Sequence, residues 1–78
     1  MKQLKKIMSV VFRMPENEIP DQATMNDLPS WDSLSHMNLI IEIEREYGIQ
    51  LTGDDIADMQ SIPELLEILS RYGVSLDT

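Results

Sequence analysis

Apolar residues recur along the first fourteen positions at Leu4, Ile7, Met8 and Val11, the i, i+3, i+4, i+7 spacing of an amphipathic helix. The pattern predicts a helix over 2–13, ended at Met14 because Pro15 disfavours helical backbone in the residue before it. From 14 to 31 no period is sustained, and Pro15, Pro20 and Pro29 punctuate the stretch. This reads as a long loop, with Ile19, Met25 and Leu28 available to pin it to a core. Loops of that length in small domains are usually functional. A second helix is expected to open at Asp32 or Ser33 and run to about Tyr47. Asp32 can cap the first turn, and Gly48 suits the left-handed residue that closes a helix. Thr52 with Asp55 three residues on starts a short third helix near 53–58. Ser61 with Glu64 makes a capping box for a last helix, in whose first turn Pro63 is tolerated. Leu65, Leu66, Ile68 and Leu69 give that helix its apolar face, and Gly73 stops it; the chain is expected to fray beyond. No strand pattern competes. The fold expected is all-α: an antiparallel four-helix bundle, with a long loop between the first two helices and a short third helix.

The second helix is apolar on too many sides for a simple bundle member. At about 100° per residue, with Leu34 set at zero, Leu39, Ile43, Tyr47 and Ile40 fall between roughly 140° and 240° and form the core face. Leu34, Met37 and Ile41 fall between roughly 300° and 0° and point away from it. Glu42 and Glu46 lie to one side of this second stripe and Glu44 to the other. An apolar stripe rimmed by acids on so small a molecule is what a docking face looks like, and flexible Met37 suits contact with several partners. Packing of Leu34 and Met37 beneath the long loop is the structural alternative.

Length bounds the rest. Seventy-eight residues make one domain with a thin core. There is no cysteine, so neither a disulfide nor a thiolate nucleophile or metal ligand is available. The balance of 14 acids against 6 basic residues, formally −8, argues against nucleic acid and anionic membrane as partners. The charge is also segregated. Residues 1–14 hold Lys2, Lys5, Lys6 and Arg13 without an acid, a net of +4; residues 15–78 hold every acid and only Arg45 and Arg71, a net of −12. The acidic segment would steer basic partners toward residues 32–58. No apolar run approaches a membrane span and no signal-peptide pattern follows the lysines, so the expectation is a cytoplasmic monomer without membrane insertion.

Asp32-Ser33-Leu34, after a loop and at a helix start, resembles the modification site of acyl carrier proteins. The context extends the likeness: Ile40-Ile41-Glu42-Ile43-Glu44-Arg45-Glu46-Tyr47-Gly48 is similar to the family's aliphatic–acidic helix with its aromatic end. Ile49-Gln50-Leu51 leading to Asp54-Asp55-Ile56 is similar to its entry into a short third helix. The resemblance spans about residues 3–72. It implies that the Ser33 hydroxyl carries 4′-phosphopantetheine through a phosphodiester, Asp32 being the helix cap beside the site, and that the arm's thiol holds an acyl group as a thioester. It further implies a phosphopantetheinyl transferase and acyl-loading and acyl-transferring enzymes as partners, with basic surfaces meeting Leu34, Met37, Ile41, Glu42 and Glu44. Two departures stand out. Many fatty-acid carriers have glycine three residues before the serine, where this chain has Ser30 in Pro29-Ser30-Trp31, and acids in the second helix where this chain has Ser35 and Asn38. The Trp-Asp-Ser-Leu form is more similar to stand-alone carriers of specialised lipid or polyketide pathways. An aminoacyl or peptidyl carrier and an unmodified helical interaction domain are the alternatives.

Other chemistry is poorly supported. A single histidine, His36, shares a helix with Ser33 at i, i+3, but it projects toward the core, as a structural histidine would. Trp31 reads as a loop anchor. Asp21 to Asp32 has the length of a calcium loop, but Met25 and Pro29 occupy ligand positions, the turn glycine is missing and Asp32 replaces the final Glu. No metal site and no catalytic residues are expected.

Overall fold

The computed structural model describes residues 2–74, which form four α-helices: α1 (Lys2–Phe12), α2 (Ser33–Tyr47), α3 (Gly53–Asp58) and α4 (Ile62–Arg71). The bundle runs antiparallel at its first pair. Gln3 Nε2 donates to Glu46 Oε1 at 2.6 Å at one end, and Phe12 meets Trp31, just ahead of α2, at a ring-centroid distance of 5.4 Å at the other. Leu4, Met8 and Phe12 are the buried line of α1, with Ile7 and Val11 partly buried beside it. From α2 come Leu39, Ile40 and Ile43, and from α4 Ile62, Leu65, Ile68 and Leu69. Met8 and Met59 are both fully enclosed. Leu66, expected on the apolar face of α4, is only partly buried.

The helix ends follow the local chemistry. Asp32 accepts from Ser35 N at 2.9 Å and starts α2; Gly48, at φ 65°, closes it. Thr52 and Asp55 form a full capping box for α3. At α4 the box is altered. Ser61 Oγ accepts from Glu64 N at 3.2 Å, but the Glu64 carboxylate accepts from the Ser61 hydroxyl at 3.1 Å rather than from a backbone N–H. Gly73, at φ 79°, follows α4. The expected fraying concerns residues 75–78, outside the described residues. α1 stops one residue short of the sequence reading. Arg13 takes the left-handed conformation at φ 57°, and Met14 N reaches back to Ser9 O at 3.2 Å to close the helix.

The long connection is not loose. It is a run of tight turns closed by Glu18 N to Pro15 O, Ala23 N to Pro20 O, Asp27 N to Thr24 O and Trp31 N to Leu28 O, at 2.9–3.2 Å. The first contains a single 3-10 turn, Glu16–Glu18. Between turns the chain sends Ile19, Ala23, Leu28 and Trp31 into the core. Met25, also expected to pin it, is only partly buried. It is also stitched to the α3–α4 corner through a short antiparallel bridge: Met25 N donates to Gln60 O at 3.0 Å and Ile62 N to Ala23 O at 2.9 Å. Nothing in the hydrophobic pattern announced that pairing.

Candidate functional site

Asp32 is extended and Ser33 is the first residue of α2, so the Ser33 hydroxyl sits at the mouth of that helix and is exposed. The first N–H groups of a helix have no carbonyl four residues back to bind, and the helix dipole makes this end positive. Asp32 satisfies Ser35 N, and that bond, with the Ser35 hydroxyl, holds the Asp32 carboxyl below its ordinary range. A phosphodiester oxygen on Ser33 would meet the same positive end.

Beside Ser33 opens a cleft of about 330 Å³ between the start of α2 and α3, walled by Met25, Ser33, His36, Met37, Ile56 and Gln60. No charged side chain lines it. His36 is buried, on the core side of α2 as its projection indicated. Its Nδ1 accepts from Trp31 Nε1 at 3.0 Å, and its Nε2 donates to Ile56 O at 2.9 Å. With both ring nitrogens engaged, neither is free to act as a base toward Ser33. Trp31 is 2% exposed, an anchor for the loop that delivers Asp32 and Ser33.

The second stripe of α2 lies on the surface: Leu34 is 74% exposed, Ile41 49% and Met37 46%. They do not pack beneath the loop. Glu42 is near this stripe and pairs with Arg45 at 3.1 Å. Glu44, the other expected docking acid, makes a structural contact. It is half-buried, and its Oε2 accepts from Leu51 N at 2.8 Å, fastening the turn that follows α2. The chain returning after α2 folds over the side of the helix that carries Glu44. Among the acids of the stretch from Asp21 to Asp32, which has only the length of a calcium loop, Asp21 pairs with Lys5, Asp27 accepts from Thr24 N and Asp32 caps α2. Helical periodicity does not predict the Trp31–His36–Ile56 contact. Its signals were a tryptophan five residues ahead of a core-facing histidine.

Residues 2–69 match the family described as "Phosphopantetheine attachment site". Acyl carrier proteins of two Buchnera aphidicola subspecies are similar over most of the chain. That of Baizongia pistaciae is 25% identical, covering 91% of both chains; that of Schizaphis graminum is 28% identical, covering 90% of this chain and 89% of the relative. The solution structure of a holo acyl carrier protein from Geobacter metallireducens superposes with a TM-score of 0.79 at 28% identity, covering 90% of this chain and 80% of that one. A family match over nearly the whole chain, joined to an all-helical fold with an exposed serine at a helix N-terminus, settles the class: the chain belongs to the acyl carrier protein family, a carrier of covalently attached 4′-phosphopantetheine rather than an enzyme.

Proposed function

We propose that this protein is a stand-alone carrier of a specialised lipid, polyketide or related pathway, with the phosphopantetheine arm on Ser33. The observation that carries the reading is the exposed hydroxyl of Ser33 at the positive end of α2, beside an apolar cleft. The residues suit the group. The helix end favours a phosphodiester, Asp32 orders the first turn, and the uncharged cleft suits the apolar part of a chain. When bound, the group supplies a thiol that holds the acyl chain as a thioester, a function the cysteine-free chain lacks. The chain's own part is to present Ser33, shelter the apolar cargo and offer Leu34, Met37 and Ile41, with Glu42 beside them, to basic enzymes. We read it as a cytoplasmic monomer; no helix among the described residues is long and apolar enough to cross a membrane.

The test is intact mass after incubation with coenzyme A and a broad-specificity phosphopantetheinyl transferase. Wild type should gain one phosphopantetheine and Ser33→Ala none. Modification of Ser33→Ala would move the site elsewhere, and an unmodified wild type would favour the interaction-domain alternative.

A further inference from the structure

His36 is the one polar side chain buried among the described residues. A leucine or methionine would fill the same space without a polar group to satisfy, and a buried polar group costs free energy unless it is fully bonded. Here it is fully bonded, by two parts of the chain far apart in sequence. The indole N–H of Trp31 can only donate, so Nδ1 must accept, and the ring proton sits on Nε2, which donates to the Ile56 carbonyl. The imidazole is thereby held as a single neutral tautomer. It joins the segment that presents Ser33 to the last turn of α3.

α3 is the α-helix with least to hold it. None of its residues is buried. Ile56 packs partly buried against the core, and the other attachments are polar: Ile56 O to His36, Asp55 to the Tyr72 hydroxyl, and the following Gln60 O to Met25 N. Segments with few buried apolar contacts open locally at low free energy. α3 is also the wall of the cleft opposite Ser33 and Met37, through Gly53 and Ile56.

We propose that His36 is a positioning residue: it latches α3 over the cleft and couples the state of the cleft to the Trp31-Asp32-Ser33 segment. The role for cargo rests on the Ser33 reading above. An apolar chain entering the cleft displaces Ile56 from Nε2. The imidazole is then free to turn, and its Nδ1 releases the indole. The segment presented to partner enzymes thus differs between short and long cargo.

Two measurements test this, the first on the unmodified chain. Nitrogen NMR should find His36 protonated at Nε2 only. In His36→Leu, the α3 amides should exchange with deuterium roughly tenfold faster, the equivalent of about one hydrogen bond, while those of α1 and α4 change far less. His36→Gln, whose side chain has both an acceptor and a donor, should restore most of the protection. Unchanged α3 exchange in His36→Leu, or equal acceleration of every helix without rescue by glutamine, overturns the latch. If His36→Leu does not fold, Trp31→Phe serves: loss of the donor should release the tautomer and speed α3 exchange, and an unchanged tautomer and rate overturn the proposal. The second measurement compares acetyl and octanoyl arms on Ser33. Octanoyl alone should shift the Trp31 indole N–H resonance and speed α3 exchange; identical spectra overturn the coupling. A chain that accepts no arm defeats the Ser33 reading and, with it, the cargo role, while the α3 latch stands or falls on the first measurement.

Discussion

Tyr47 shows how a single polar atom can be read against its surroundings. Its ring is half-buried against the core, yet its hydroxyl oxygen is enclosed and has no hydrogen-bond partner among the described residues. Burial, with some help from the Glu46 charge, raises its pKa. An enclosed hydroxyl without a partner is a liability rather than a contact, so Tyr47→Phe should match wild-type stability or exceed it by up to about 1 kcal/mol in urea unfolding. Trp31 is the opposite case. It is enclosed, tilted against Phe12 and bonded through its N–H. Trp31→Ala should cost about 3–5 kcal/mol. A chain of this length has on the order of 4–12 kcal/mol in all. The variant should therefore be partly unfolded at 37 °C, as circular dichroism would report. Asp32 carries a pH dependence. Its folded pKa lies below the ordinary 3.8, so its charge stabilises the fold at any pH above that value, and this contribution is lost as pH falls through the depressed pKa. Asp32→Asn keeps a good cap but has no charge to titrate. Its acid-unfolding curve should be flatter than wild type below about pH 4.

At the scale of the elements, α3 and α2 are held by different means. α3 depends on polar ties, and the Asp55–Tyr72 bond is one that joins it to the end of α4. The bond to Asp55 raises the Tyr72 pKa above its ordinary 10.0. The phenol proton is needed for the bond, so this tie is intact below pH 10 and lost as pH rises through the elevated pKa. Tyr72→Phe should remove that part of the alkaline destabilisation and speed α3 amide exchange at neutral pH. On α2 the roles of the acids separate. Glu44→Ala should lower stability by about 1–2 kcal/mol by freeing Leu51 N. It is a poor probe of docking for that reason. Glu42→Lys is the better one: it should slow modification by the transferase several-fold at low salt, with the difference shrinking as salt rises. Ile41→Ala should weaken the same reaction with little salt dependence, since an apolar anchor is lost. Equal specificity constants for wild type and both variants, with folding confirmed, would remove this face from the docking reading.

The whole molecule is a thin core under an asymmetric charge. The core is mostly aliphatic, Phe12 and Trp31 apart, and includes the flexible Met8 and Met59, which can give way to a guest at low cost. Each cargo CH₂ buried contributes on the order of 0.8 kcal/mol before reorganisation is subtracted. Thermal unfolding of the loaded carrier should therefore rise from acetyl through hexanoyl to octanoyl, with alanyl near acetyl. Melting temperatures that match the unloaded protein throughout would put the cargo outside and favour a small-acyl or aminoacyl carrier. At this scale the division between sequence and structure is also clearest. Periodicity and capping chemistry are local, and they were enough to specify the helices, the Asp32 cap, the Gly48 stop and the outward stripe of Leu34, Met37 and Ile41. A helix of ideal pitch fixes which side chains share a face, whatever lies opposite. The burial of Phe12 and Ala23, the pairing of Met25 with Gln60, the turn of Glu44 onto Leu51 N and the bonds from His36 to Trp31 and Ile56 depend on which segment returns to which face. A hydrogen bond between residues twenty or more apart, as from His36 to Ile56 or from Met25 to Gln60, leaves no period in the sequence, and the nearer bonds of Trp31 and Glu44 lie outside helical periodicity too, so only the closed bundle decides these partners.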